Sequence, residues 1–161
     1  GAFPSFYYSQ NDALLTGADA SLSIMVTEQF EININGSTLW AYNLERKDYI
    51  PLMPSDRIGA FLKYSFKSTN KVLDPYIKLS GVGVTRQWKH SIEDNIYGVP
   101  TGYFLLNFES AVTFIQKKGN LTLGFEIQNM LNTRYREYMN RFRFYTDDLG
   151  IGAVIKISYT I

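Results

Sequence analysis

The chain has 161 residues, with sixteen Lys and Arg against fifteen Asp and Glu, so its length allows one domain and its charge of +1 points to no nucleic-acid or acidic partner. Aromatic residues make up 16%, including twelve Tyr, a composition suited to a molecule that meets an interface. The absence of cysteine excludes a disulfide framework and a Cys-ligated metal site, while no run of about 18 apolar residues offers a spanning helix and no N-terminal segment reads as a signal peptide.

Taken in chain order, the elements are strands. A partial strand is expected over 6–10. Ala18, Ala20, Leu22, Ile24 and Val26 then share one face with Ser21 and Ser23 opposite, and Ile32, Ile34, Trp40 and Tyr42 repeat the alternation after a turn at 27–30. Ile58, Ala60, Leu62, Tyr64 and Phe66 alternate with Gly59, Lys63 and Ser65 before turn residues at 67–72. Residues 74–88 read as a strand from their Val, Thr and Tyr content, although Gly81 and Gly83 interrupt the pattern. Phe104, Leu106, Phe108, Val112 and Phe114 oppose Tyr103, Asn107, Glu109 and Thr113. After a tight turn at 116–119, Leu121, Leu123, Phe125 and Ile127 oppose Thr122, Gly124, Glu126 and Gln128. Ala153, Ile155, Ile157, Tyr159 and Ile161 close the chain with the same period.

The expected fold is therefore all-β, an antiparallel up-and-down meander of about eight strands. Turns at 27–30, 67–72 and 116–119 are short, while the connections at 44–56, 89–101 and 133–150 are long. Outer-membrane β-barrels show this asymmetry, and many of these strands reach the ~10 residues that a tilted membrane strand needs. Trp40, Tyr42, Tyr64, Trp88, Phe104, Phe114 and Tyr159 sit toward strand ends, as two aromatic girdles would. Two rivals share this pattern. One is a complete eight-stranded outer-membrane barrel with a structural or adhesion role. The other is a soluble β-barrel that binds a small ligand, with Phe104, Leu106 and Phe108 turned inward.

Four stretches resemble the C-terminal part of the barrel domain of TonB-dependent outer-membrane receptors. Tyr8-Ser9-Gln10-Asn11-Asp12-Ala13 followed by Thr16-Gly17-Ala18-Asp19 is similar to the family's segment before a glycine and an acidic residue, with Asp19 where Glu is commoner. The stretch 48–57, with Pro51 and Pro54 and ending in Arg57, resembles its proline-rich loop, with Ser55 in place of a frequent second proline. Pro100-Thr101-Gly102-Tyr103 resembles the start of a descending strand. The stretch 124–132, from Gly124 to Asn129-Met130-Leu131-Asn132, resembles its Asn-bracketed strand end, and Tyr135 follows as in the family; the terminal Ile161 replaces a usual aromatic.

The resemblance implies that 1–161 is a portion of a larger barrel, since such receptors close about 22 strands around an N-terminal plug; plug and TonB-contacting segment are absent from it. It further implies localisation in the outer membrane of a Gram-negative bacterium and import of a scarce nutrient, an iron-siderophore complex first. The implied partners are outer-membrane lipid and lipopolysaccharide, the plug and TonB, and a small-molecule or metal-chelate substrate. The two sheet edges of such a portion need partners. Closure of the portion on itself is the first expectation, ahead of pairing with a second copy or an open sheet.

Among individual residues, Arg134, Arg136, Arg141 and Arg143 interleave with Tyr135, Tyr138, Phe142, Phe144 and Tyr145, an alternation that reads as strands continuing outward. Their guanidiniums suit lipopolysaccharide phosphates or an anionic substrate, and the plainer reading is a loop paired internally with Asp147 and Asp148. Glu109 and Glu126 with Lys63, Lys78 and Lys156 are expected on the lumen face, pairing across strands. His90, the one histidine, reads as a solvated loop residue, and Ser91 and Ser110 have no histidine at a catalytic spacing. No enzyme activity and no cofactor are expected.

Overall fold

The computed structural model describes residues 10–91 and 98–161. Eight strands form one antiparallel sheet: β1 (Ala13–Met25), β2 (Phe30–Asn43), β3 (Asp48–Tyr49), β4 (Arg57–Ser65), β5 (Val72–Val84), β6 (Tyr103–Gln116), β7 (Gly119–Gln128) and β8 (Gly152–Thr160). The order is β1-β2-β4-β5-β6-β7-β8, with the two-residue β3 paired to the end of β2. The expected meander is this sheet. The partial strand at 6–10 lies outside the described residues apart from Gln10, and the eighth strand is instead β3, within a connection expected to be irregular.

The short turns close on their own side chains and backbone. In the first, Val26 N donates to Phe30 O at 2.9 Å while Thr27 Oγ1 accepts from the amides of Gln29 and Phe30. In the second, Thr69 N donates to Val72 O at 2.7 Å. β5 begins with a bulge between Leu73 and Tyr76, where Asp74 adopts φ 47°, and it ends at Val84 rather than continuing to Trp88. The Phe104 ring packs onto Gly81 within it, where a Cβ would stand 2.8 Å from Cζ and displace the ring.

Register aligns the period-two pattern into two opposite faces. Ile24, Ile32, Leu62, Leu79, Phe108, Ile127 and Ala153 form one row across all seven long strands. Val112, Leu123 and Ile157 lie on the same side, as do Phe114, Leu121 and Tyr159. Apart from residues 85–91 at one end, this face is left open among the described residues: Ile58 is 62% exposed, Phe104 48% and Ile155 73%. The buried apolar residues are Ala41, Val84 and Tyr138. A sheet of this size without an apolar interior cannot stand in water, because so large an apolar area would drive association. It suits a wall whose apolar side meets hydrocarbon.

The aromatic residues divide by height. Tyr64, Phe114 and Tyr159 stand on the apolar side near the short turns, and Trp40 and Trp88 near the long connections. This is the disposition that amphipathic rings take at two headgroup levels.

β1 and β8 do not pair with each other, so the sheet is open among the described residues, contrary to the closure expected first. The open edges retain unpaired backbone groups that further strands can take up.

Candidate functional site

The polar face carries a charged row in direct register: Glu31, Lys63, Lys78, Glu109 and Glu126 lie side by side on β2, β4, β5, β6 and β7. Lys78 Nζ donates to Glu109 Oε2 at 2.9 Å, Tyr76 donates its hydroxyl to Glu109 Oε1 at 2.5 Å, and Lys156 Nζ donates to Glu126 Oε2 at 2.7 Å. Lys63 lies over the ring of Tyr76 at 4.8 Å, and Lys78 over that of Phe61 at 5.3 Å. Above and below, Asn33 donates to Ser21 and Ser23, and the hydroxyls of Thr113 and Thr122 meet at 2.9 Å. Alternating strand geometry makes this face a hydrogen-bonding surface, on which Glu109 and Glu126 are paired with ammonium and hydroxyl groups.

The long connections form a rim at one end. Residues 86–91 alternate in burial beyond β5: Gln87, Lys89 and Ser91 are buried, while Arg86 and Trp88 are exposed and His90 is half-buried. Gln87 Nε2 donates to the carbonyls of Met53 and Pro54 at 2.8 and 2.9 Å, and Ser91 donates to Asp48 Oδ2 at 2.6 Å. Between them, Lys89 Nζ pairs with Asp56 and donates to Thr38 Oγ1 at 3.1 Å, lying 4.2 Å from the ring of Trp40 and 5.1 Å from that of Trp88. The two indoles meet edge to face at 6.1 Å, and Trp88 Nε1 donates to Asp56 Oδ2 at 3.0 Å. Thr38 and Trp40 share the phase of Ile32 and Ile34, so this strap crosses the apolar side of the sheet.

Burial raises the Asp56 carboxyl, but hydrogen bonds from Lys89, Thr38 and Trp88 outweigh it and hold the group below the usual carboxylate range. The Ser91 hydroxyl and the Tyr49 amide do the same for Asp48. Lys89 and its partners were missed in the sequence because a lysine in a connection reads as solvated; the alternation of Gln87, Lys89 and Ser91 was the available signal.

The connection 129–151 is built of turns rather than the outward strands expected from its alternating Arg and aromatic residues. Asn129 and Asn132, both at φ 49°, turn the chain out of β7. Asn129 is buried; its Oδ1 accepts from Thr133 N at 2.8 Å, its Nδ2 donates to Thr133 O at 2.9 Å, and its backbone N–H donates to Asn107 Oδ1 at 2.8 Å. Asn132 Oδ1 accepts from Ile151 N at 3.0 Å, which brings the two ends of the connection together.

Arg136 and Arg134 both donate to Asp147, and these hydrogen bonds, that from Arg136 first, hold its carboxyl below the usual range. Arg143 is buried; it donates to Tyr138 O at 2.6 Å and lies over the rings of Tyr138 and Phe144. Arg141 is exposed. Arg136 and Arg143 also line a hollow of about 320 Å³ with Thr101 and Phe144.

Tyr135 stacks on Tyr103 at 4.5 Å, and burial with the nearby charges of Asp148 and Glu137 raises its hydroxyl above the ordinary range. Tyr103 donates to Glu137, which faces Arg57 at 3.7 Å, so this connection reaches back over the polar side as far as β4. Of the remaining motif residues, Gly17 lies against Thr38 O, where a Cβ would come within 2.6 Å. Asp19 faces Ser37 across β2, and Gly124 faces Ala111 and Lys156. Pro51 and Pro54 lie in the connection that Gln87 clasps.

No protein-family model and no curated protein matches the sequence. Among solved structures, the chain is similar to the copper transporter OprC with a TM-score of 0.76 and 15% sequence identity over 92% of this chain. The chain spans 24% of that structure's length. At this identity the likeness speaks for fold alone, and it agrees with an antiparallel β-meander of the kind that outer-membrane barrels are built from.

Proposed function

We propose that the chain is a C-terminal portion of the barrel of a TonB-dependent outer-membrane receptor, importing a scarce nutrient with an iron-siderophore complex as the leading cargo. The observation that carries this reading is the two-sidedness of an open sheet: an uncovered apolar face opposite a charged, hydrogen-bonded one, matched in fold to a quarter of a larger transporter. The apolar face meets lipid and the charged face lines the lumen, where a plug would contact it. The open edges at β1 and β8 pair with the other strands of the complete barrel, and this favours the portion over a self-sufficient eight-stranded barrel. The chain acts as a wall and a rim, without catalysis.

Arg134, Arg136, Arg141 and Arg143 remain the candidates for an anionic cargo or lipopolysaccharide, Arg134 and Arg141 being exposed and Arg136 and Arg143 bordering the hollow. Because the matched structure is a copper transporter, the cargo class includes a metal ion beside a chelate. Accumulation of labelled ferric siderophores and of copper in cells with and without the gene, and with and without an energised inner membrane, tests the reading. Loss of one uptake on deletion and on de-energising is expected; unchanged accumulation of both would sink it.

A further inference from the structure

The connection 129–151 is one folded body on a narrow neck. Asn132 Oδ1 accepts from Ile151 N at 3.0 Å and closes the neck. Inside the body Asp147 takes Arg134 and Arg136, while Asp148 accepts from Glu137 N at 2.7 Å and from Asn140 Nδ2 at 2.9 Å. Tyr135 and Glu137 reach from it to the polar face, where Arg57, Val84 and Tyr103 lie side by side on β4, β5 and β6. Tyr135 stacks on Tyr103, the Tyr103 hydroxyl donates to Glu137 Oε2, and Arg57 faces Glu137 Oε1. Val84, between the two anchoring residues, is only 6% exposed.

Glu137 holds Arg57 poorly. Its Oε1 stands 3.7 Å from the guanidinium, beyond hydrogen-bond reach, and is shielded from solvent without a hydrogen-bond partner among the described residues. A carboxylate oxygen in that state gains water if the connection lifts. The two side chains are 40% and 26% exposed, a setting in which an ion pair is weak and a solute can compete with it.

We propose that Arg57 and Tyr103 form a seat for the carboxylate of a small soluble anion, that Glu137 occupies this seat as an internal stand-in, and that an incoming carboxylate releases the connection from the polar face. The class of ligand follows from the group already there. The planar fork of Arg57 suits a carboxylate, and Tyr103 adds a second donor. The seat lies on the sheet, apart from the four arginines of the connection. A role for it in import rests on the receptor reading.

The chain has no cysteine, so Val84→Cys supplies a single thiol, whose alkylation by a water-soluble maleimide reports whether the connection covers β5. For the protein in detergent micelles, succinate is expected to speed alkylation about tenfold and saturably, with no effect of chloride at equal ionic strength. Adding Glu137→Gln should make alkylation fast without succinate, and adding Arg57→Met should abolish the succinate response. Ser80→Cys, on the polar face of the same strand, is expected to react at one rate throughout. Equal acceleration by chloride, a succinate response that survives Arg57→Met, or an unchanged rate in Glu137→Gln would each overturn the seat. So would a parallel rise at Ser80→Cys, which would mean that the sheet opens instead of the connection. Unchanged accumulation in cells would sink the receptor reading and leave this alkylation pattern in place.

Discussion

The ammonium of Lys89 pairs with the carboxylate of Asp56 under the rings of Trp40 and Trp88, on the side of the sheet that is otherwise apolar. The Lys89 side chain is 1% exposed, so its charge depends on Asp56, Thr38 and the two indole faces for compensation. The pair ties the β5–β6 connection to the end of β2 and to the first residue preceding β4.

Removing one partner leaves a buried charge. Asp56→Leu is expected to cost about 3–5 kcal/mol, with Lys89→Met less costly and the double replacement recovering most of the loss. Equilibrium unfolding in lipid of the two single variants and the double variant measures the coupling; strictly additive losses would count against a buried pair.

Acid acts on the same pair. Asp56 titrates below its unfolded value, so its contribution is fully present above the unfolded carboxylate range and is lost as pH falls through the lowered folded value. Tryptophan emission should hold steady from neutral pH down to about 4 and shift to longer wavelength below it, as the strap loosens. Asp56→Asn should abolish that acid transition. A transition centred near neutrality in the parent chain would contradict the assignment.

The two faces differ in what they tolerate. Leu62→Arg, in the middle row of the apolar face, is expected to cost about 2–4 kcal/mol when the chain folds into vesicles. Ser80→Arg, on the opposite face of the neighbouring strand, should stay within about 0.5 kcal/mol. Comparable losses would mean that the face assignment is wrong.

Lys78 and Glu109 remain partly exposed, 29% and 35%, so their pairing is modest. A double-mutant cycle with Lys78→Met and Glu109→Gln is expected to return about 0.2–1 kcal/mol, decreasing with salt. A coupling several times larger would require a partner that excludes water from this face.

Asn129 combines a left-handed backbone with a buried, hydrogen-bonded side chain. Asn129→Gly keeps the backbone preference and loses the bonds, whereas Asn129→Ala loses both and should be destabilised by about 1 kcal/mol more. Amide exchange at Thr133, whose N–H it accepts, should accelerate in both variants.

Much of the wall was legible in the residue order. The alternation from Tyr103 to Phe114 and from Leu121 to Ile127 determines which side chains share a face, and the lengths of the connections separate the two ends of the sheet. Side chains in a strand alternate by backbone geometry, so this information is local. The same local reading failed at 133–150, where Arg and aromatic residues alternate by accident of turn packing around Arg143 and Asp147, and at Lys89, where a connection continues as a buried strap.

By itself, then, the sequence determined the strands, their antiparallel succession and the two opposite faces, because each follows from period two and from turn chemistry within a few residues. Tertiary structure alone decided the register that aligns Lys78 with Glu109, the crossing of Lys89 onto Asp56, the reach of Glu137 to Arg57 and the open edges at β1 and β8. Each of these depends on distances between residues far apart in the chain, 31 positions for Lys78 and Glu109 and 33 for Lys89 and Asp56, or on strands that fail to meet, and no local pattern encodes them.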